Sequence, residues 1–587
     1  MRAGERTRTL SGLSVAEGVS VGKVQKMGSS LFPREVPRHE VPEEDLEKEI
    51  ERFHRACSRA AEQLSELVED VQREVGEHEA ELLRPQVYMA EDPSFVSEVE
   101  EYIHENRANA EAAVAQIIGK YEKMVSSIDD SYLQERSTDI SDAGQRILGQ
   151  LLFTGGEMAP QLMEPRIVAS EQLVPSLTVH LDRDKILGFI TEEGGYTSHA
   201  AILARSLGIP AVTCLEGITD EVVDGQTVAV DGMSGEVVVN PPQNTLERYR
   251  RAADKFWKRR ERVIEQARQP SITTDETSIT VQANIGRLEE AERAAEFYAE
   301  GVGLYRTEFE YLSKTALPDE EELTDRYGAV VESSPNNAVV FRVLDVGGDK
   351  HPPALSLAHE ENPFLGLRGL RLFLRHKEDV ALPQLRAMMR AAQRGEVKIL
   401  YPMVAGQDDL EAVLELADRA RRQVEKEGTA VRDIKHGIML EVPSAVHTLP
   451  DLLELVDFAS VGTNDLVQYA LAADRNSERM ADSYDPYHPA VLRILAYIQR
   501  VGHEAGRSVS ICGECAADTH FLPILLGMDY HQLSVNVGAV PFVKRAVREV
   551  SLEDCRELAE KALEASTPEE IHELSDAFYE EHLENET

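Results

Sequence analysis

The sequence predicts an α/β protein. A (β/α)8 barrel fills its second half, and a smaller β/α domain interrupted by a helical unit fills its first. Three observations carry this. After Ser271, strand-like and helix-like segments alternate eight times, which is the count of a (β/α)8 barrel. Between about Pro42 and Gln150, apolar residues recur at spacings of three and four, the helical period. Strand-like runs lie on both sides of that stretch, so both flanks contribute to one sheet. A chain of 587 residues has room for several such units at roughly 100–200 residues each.

Residues 1–30 hold short apolar stretches punctuated by glycine and read as strands. Glu43 to Val71 and Ala108 to Met124 read as helices. Strand patterns return at Arg166–Ser170, Ile186–Thr191, Gln226–Asp231 and Glu236–Asn240. Residues 1–30 and 146–240 are therefore assigned to the β/α domain and 31–145 to the helical unit. Leu246 to Gln269 is polar, rich in Arg, Lys and Glu, and holds the lone Trp257; it reads as a linker helix within 241–269. The barrel is assigned to 270–580. Its strands are predicted at Ser278–Ala283, Gly301–Tyr305, Ala338–Leu344, Val397–Met403, Gly437–Leu440, Phe458–Val461, Ser508–Ile511 and His531–Val535. Polar residues follow several of them: Arg306, Glu441, Asn464, Asp465 and Cys512. Barrel chemistry sits at that end of the strands.

Lys and Arg total 62 and Asp and Glu 105, for a net charge of −43. A nucleic-acid binder needs a basic footprint, and an anionic membrane surface would repel such a chain. No run approaches the roughly 18–20 apolar residues of a membrane span. The arginines near Met1 are not followed by an apolar stretch, so no secretory signal is expected. Only 16 of the basic residues are Lys. Scarce Lys with evenly spread acid resembles the cytosolic proteins of extreme halophiles, where multimolar salt screens self-repulsion over about 3 Å or less. The five cysteines, Cys57, Cys214, Cys512, Cys515 and Cys555, are scattered and odd in number. That is no disulfide framework, and a cytoplasmic location is expected. Cys512 and Cys515 form a Cys-x-x-Cys without the second pair or nearby His of a zinc site, and Cys515 is given no role.

The segment Thr191-Glu-Glu-Gly-Gly-Tyr-Thr-Ser-His199 follows a predicted strand and opens a predicted helix, Ala200 to Leu207. Gly194-Gly195 permits a tight turn, and Thr197 or Ser198 can cap the helix. His199 then falls in the first turn, where free backbone N–H groups and the helix dipole favour an anion. By itself this equally describes a surface histidine beside an ordinary cap.

The run from Gly194 through His199 to Arg205 resembles the phosphohistidine segment of PEP-utilising enzymes. The chain as a whole, from Gly12 to about Glu580, resembles the Enzyme I family of the bacterial sugar phosphotransferase system. The resemblance implies a swivelling phosphohistidine domain, with His199 phosphorylated on Nε2. Gly301 to Phe309 and Phe341 to Lys350 resemble two barrel motifs in which Arg306, Arg342 and Lys350 grip the phosphate of phosphoenolpyruvate and Asp345 orients nearby groups. Arginine's rigid fork suits the charge that spreads over a departing phosphoryl group. Glu441 and Asp465 supply oxygen ligands suited to Mg²⁺, and Asn464, Asp465 and Arg475 are implied to bind the substrate. Cys512 is implied to donate the proton that turns the enolate into pyruvate, and Arg368 to support the site from behind.

Tyr196, Pro85, Gln86 and Asn476 stand where the family commonly has other residues. The helical unit takes the place of the HPr-binding subdomain, and its acidic face would attract a basic carrier. HPr is therefore the expected acceptor and a homodimer through the barrel the expected assembly. A nucleotide-using dikinase relative is a second reading. Fewer than 200 residues precede His199, and the chain holds no P-loop motif. A signalling relative without turnover is a third; Arg306, Glu441 and Cys512 would be dispensable to it.

Overall fold

The structure is a computed structural model. It describes residues 7–27, 38–74, 92–126, 144, 147–148, 150–151, 164–171, 185–194, 204, 208–312, 314, 316–348, 352, 354–355, 360, 362–475, 480 and 483–583. The chain divides into two compact units, Met1–Arg260 and Glu261–Thr587.

The first unit is built on an eight-stranded sheet: β1 (Arg8–Ser11), β2 (Leu13–Ala16), β3 (Val19–Lys26), β4 (Arg166–Ser170), β5 (Ile186–Thr191), β6 (Ala211–Thr213), β7 (Thr227–Asp231) and β8 (Glu236–Val239). Their order is β1-β8-β7-β3-β4-β5-β6-β2. β3, β4, β5 and β6 run parallel; the pairs at either side are antiparallel. The pairing of Lys23 with Arg166 through Lys26 with Ala169 closes the sheet across a long excursion of the chain. That excursion is the expected helical unit, with helices Leu46–Glu74, Pro93–Asn106 and Ala110–Ser126. It has an apolar core of its own, including Phe53, Leu64, Phe95, Val99, Ile103 and Val114. Arg52 ties the first helix to the third, reaching Glu49 at 2.7 Å and Glu111 at 2.6 Å.

Among the described strands of this sheet only β6 escaped the sequence reading. Its three residues are too few to show a period, and their burial is completed by β5 and β2. The linker segment forms the helix Gln243–Gln266, and Trp257 packs on the core that includes Phe189 and Ala211.

The second unit is a closed barrel: β9 (Thr280–Ile285), β10 (Val302–Arg306), β11 (Ala338–Arg342), β12 (Glu396–Tyr401), β13 (Lys435–Leu440), β14 (Phe458–Val461), β15 (Ser508–Ile511) and β16 (Gln532–Asn536). Every neighbouring pair is parallel, and β16 pairs with β9 from Gln532–Thr280 to Asn536–Asn284. All eight expected strands are present. β9 runs two residues later than expected, and β11 and β12 end two earlier. Gly-rich or Pro-containing exits, such as Val346-Gly-Gly348, stop the ladder before the apolar run ends. Leu304, Val340, Leu400, Met439, Phe458 and Cys512 form one cluster inside the barrel. Helix starts on the outside follow local capping rules: Asp319, Ser551 and Thr567 accept from the backbone N–H groups of Glu322, Asp554 and Glu570. Among the described residues no helix is long and apolar enough to cross a membrane.

Candidate active site

The strand ends at the C-terminal mouth of the barrel gather most of the residues singled out from the sequence. Arg306 ends β10 and Arg342 ends β11. Glu441 follows β13, Asn464 and Asp465 open the helix Thr463–Leu471 after β14, and Cys512 follows β15. A parallel barrel brings these positions to one rim because every strand points the same way.

Arg342 is buried. Its Nη2 donates to Glu308 Oε1 at 2.5 Å and its Nη1 lies 3.3 Å from Asp345 Oδ2. Burial pulls the guanidinium pKa down, but Glu308, Asp345 and Glu441 outweigh it and leave it above its ordinary value. The Nε atoms of Arg342 and of Arg306 are buried and have no hydrogen-bond partner among the described residues. Two convergent arginines with unmet donors form a receptor for an oxyanion.

Arg368 joins two strand ends that are far apart in sequence. Its Nε and Nη2 each donate to Asp345 at 3.2 Å, and its Nη1 and Nη2 donate to Asp465 at 3.2 and 2.8 Å. Arg475 lies 3.6 Å from Asp465 Oδ1. Asn464 Oδ1 accepts from the Glu514 backbone N–H at 3.0 Å, so the NH2 end of the amide is the one left to donate.

Glu441 is 1 % exposed, and its Oε1 accepts from the Met403 backbone N–H at 2.6 Å. Burial, then Asp465 and Asp345, push its carboxyl up to about 8, against the pull of Arg342 and Arg368. Space for this side chain depends on Gly462. A Cβ there would stand 2.8 Å from Glu441 Oε2 and 3.1 Å from Met439 Cγ. Gly462→Ala is therefore expected to displace Glu441 and destabilise the barrel by about 1–3 kcal/mol; denaturant unfolding beside wild type checks this.

Cys512 is enclosed. Its Sγ donates to the Val461 carbonyl at 3.4 Å, and Asn284 Nδ2 holds the Cys512 carbonyl at 3.0 Å. Burial pushes the thiol up to about 11. A hydrogen bond with Ser460 and the charges of Arg342 and Arg306 oppose the rise, and Glu441 adds to it. The group is a neutral acid at ordinary pH. Cys515 Sγ donates to Thr463 Oγ1 at 3.2 Å.

Behind the rim, Thr307 Oγ1 donates to the Arg342 carbonyl at 2.8 Å. Gln384 donates to Thr307 Oγ1 at 3.2 Å and accepts from the Leu344 N–H at 2.9 Å. Glu308, Gln384 and Thr307 were not singled out from the sequence. Only Glu308 offered a signal, as an acid two residues past Arg306 in the same turn. Lys350, His199, Tyr196, Pro85, Gln86 and Asn476 lie outside the described residues. The turn entering the histidine segment is described as far as Gly194, whose φ of 132° suits glycine; its carbonyl accepts from Cys214 Sγ at 3.1 Å.

Three family models match in chain order: PEP-utilising enzyme, N-terminal, over residues 11–136; PEP-utilising enzyme, mobile domain, over 162–235; and PEP-utilising enzyme, PEP-binding domain, over 260–552. The last spans every residue of the barrel rim described above. Over 574 residues the chain is 34% identical to the phosphoenolpyruvate-protein phosphotransferase of Staphylococcus carnosus, covering 97% of this chain and 99% of that one. The chain belongs to the phosphoenolpyruvate-protein phosphotransferase family. It is 35% identical to the Bacillus subtilis member over 96% of this chain and 98% of that one, and 35% identical to the Enterococcus faecalis member over 97% and 99%. The family therefore extends over both compact units, and its members are enzymes.

Proposed function

We propose that this chain transfers the phosphoryl group of phosphoenolpyruvate to His199, releasing pyruvate, and passes it on to a histidine of the carrier protein HPr. The observation that carries the reading is the barrel rim, where arginines with unmet donors converge beside a buried, protonated thiol. Arg306 and Arg342 would hold the phosphate, Lys350 is proposed as a third contact to it, and Asn464 and Arg475 would hold the rest of the substrate. Arginine forks placed there favour the charge that develops on the equatorial oxygens as the P–O bond breaks. Departure of the phosphoryl group leaves an enolate, and Cys512 Sγ–H would protonate its methylene carbon.

The arginines named at the rim, Arg306, Arg342, Arg368 and Arg475, are matched by Glu308, Asp345, Glu441 and Asp465. An anionic substrate would therefore leave excess negative charge. Glu441 and Asp465 repel one another electrostatically and fit a divalent cation. Among the described residues no group of three or more His, Cys, Asp or Glu could hold a metal alone; Mg²⁺ accepts one or two carboxylates with water and substrate phosphate. Mg²⁺ held by Glu441 and Asp465 would supply that missing positive charge. Glu441 would hold it as the carboxylate, and Arg368 would have to share Asp465. Service of one histidine at two sites requires a domain motion, with 241–269 as the hinge, and the assembly is proposed to be a cytoplasmic homodimer through the barrel.

The test is incubation with labelled phosphoenolpyruvate and Mg²⁺ in multimolar KCl, beside His199→Ala. Acid-labile, base-stable label is expected on the wild-type chain alone and should chase to HPr rather than to AMP. A folded wild-type protein that takes no label would sink the reading, and label persisting in His199→Ala would move the phosphohistidine elsewhere.

A further inference from the structure

A second cationic cavity lies at the opposite end of the barrel. It has a volume of about 570 Å³ and is lined by Gln266, Gln269, Pro270, Ile272, Arg545, Arg548 and Glu549. These residues come from two places in the chain: the segment leading into β9, and the end of the helix Val540–Glu549 that follows β16. In a parallel barrel a helix after a strand returns to the N-terminal rim, and the Thr274 N–H bond to the Val550 carbonyl at 2.9 Å fastens the two segments there. The cavity is thus distinct from the mouth that holds Arg306 and Arg342.

Its charges are unevenly satisfied. Arg545 Nε donates to Glu549 Oε1 at 2.7 Å and its Nη2 to the Leu583 carbonyl at 3.4 Å. That pair cancels. Among the described residues Arg548 has no such partner: its Nη1 is buried without a hydrogen bond to any of them. Burial, reinforced by Arg545 and opposed by Glu549, pulls the Arg548 guanidinium pKa below its ordinary value. A buried guanidinium donor left unmet costs free energy that a bound acceptor would recover. The walls add amide groups from Gln266 and Gln269, and Pro270 and Ile272 give an apolar side. In a chain of net charge −43, a cavity with excess positive charge is the exception.

We infer that this cavity is a binding site for a small oxyanion, a phosphate or carboxylate, held by Arg548 with the amides of Gln266 and Gln269. Such a ligand would bridge the last turn of the linker helix to the last helix of the barrel ring. This inference does not rest on the phosphotransfer reading.

The test is the thermal midpoint of the full-length chain titrated with inorganic phosphate and, in parallel, acetate, with KCl adjusted to constant ionic strength. Phosphate can also enter the mouth, so each titration is repeated in Arg306→Gln. A saturable rise is expected that survives in Arg306→Gln and whose apparent affinity falls about tenfold or more in Arg548→Gln. Whichever anion gives the rise assigns the ligand class. Gln269→Leu, expected to weaken the same rise, serves should Arg548→Gln not fold. A rise lost in Arg306→Gln and intact in Arg548→Gln would place the anion at the mouth and overturn the inference. So would no saturable rise with either anion. A rise seen only after deletion of residues 584–587 would make the cavity the seat of the chain's own acidic tail, which also overturns it.

Discussion

Cys512→Ala is expected to lower kcat for pyruvate formation by about 10²–10⁴-fold while KM for phosphoenolpyruvate stays close to wild type. The side chain is small, and the cluster around it (Leu304, Val340, Leu400, Met439 and Phe458) is apolar, so alanine fits without strain. What is lost is the proton. With the thiol pushed up to about 11, the wild-type acid stays protonated through neutral pH and beyond. The wild-type rate should therefore show no fall from thiol ionisation below about pH 10. Steady-state pyruvate assays across pH 6–10 on both proteins would check the size of the loss and its lack of pH dependence. A kcat within a few fold of wild type would remove Cys512 from the chemistry.

Arg342→Met is expected to damage stability and turnover by separable routes. Glu308 is fully buried and Arg342 is its charged neighbour at 2.5 Å. Removing the arginine takes a cationic partner from that buried carboxylate, and breaking one side of a buried pair costs about 3–5 kcal/mol. Adding Glu308→Gln should restore most of that loss, because the buried charge is gone. Turnover should not return in the double variant, since the proposed phosphate grip stays lost. Denaturant unfolding reports the first effect and kcat/KM the second. If the double variant regained activity with its stability, Arg342 would be structural only.

The array is coupled, and the sequence gives little warning of it. Arg306, Glu441, Asp465 and Cys512 were each legible as polar residues following a strand, because barrel strands end abruptly at a chemically distinct residue; Arg342 was legible through the motif from Phe341 to Lys350. Glu308 was hidden in a protein full of acids. Only its complete burial beside Arg342 separates it from the solvated ones. Arg368 was legible merely as a supporting residue. In the structure it bonds at once to Asp345 and Asp465, joining two strand ends.

What the sequence by itself determined is local and periodic. Alternation of strand and helix patterns predicted the eight barrel strands. Helical spacing predicted the inserted unit, and Gly194 was legible as the start of a turn. Each of these is set by residues within a few positions of one another, where side-chain period and backbone freedom act directly. The tertiary structure alone decided which charges meet. Arg368 and Asp465 are 97 positions apart, Asn284 and Cys512 are 228 apart, and the walls of the N-terminal cavity come from the two ends of the barrel sequence. Closure of β16 on β9 brings the last pairs together, and burial then fixes which arginines are satisfied and which still have a donor to offer.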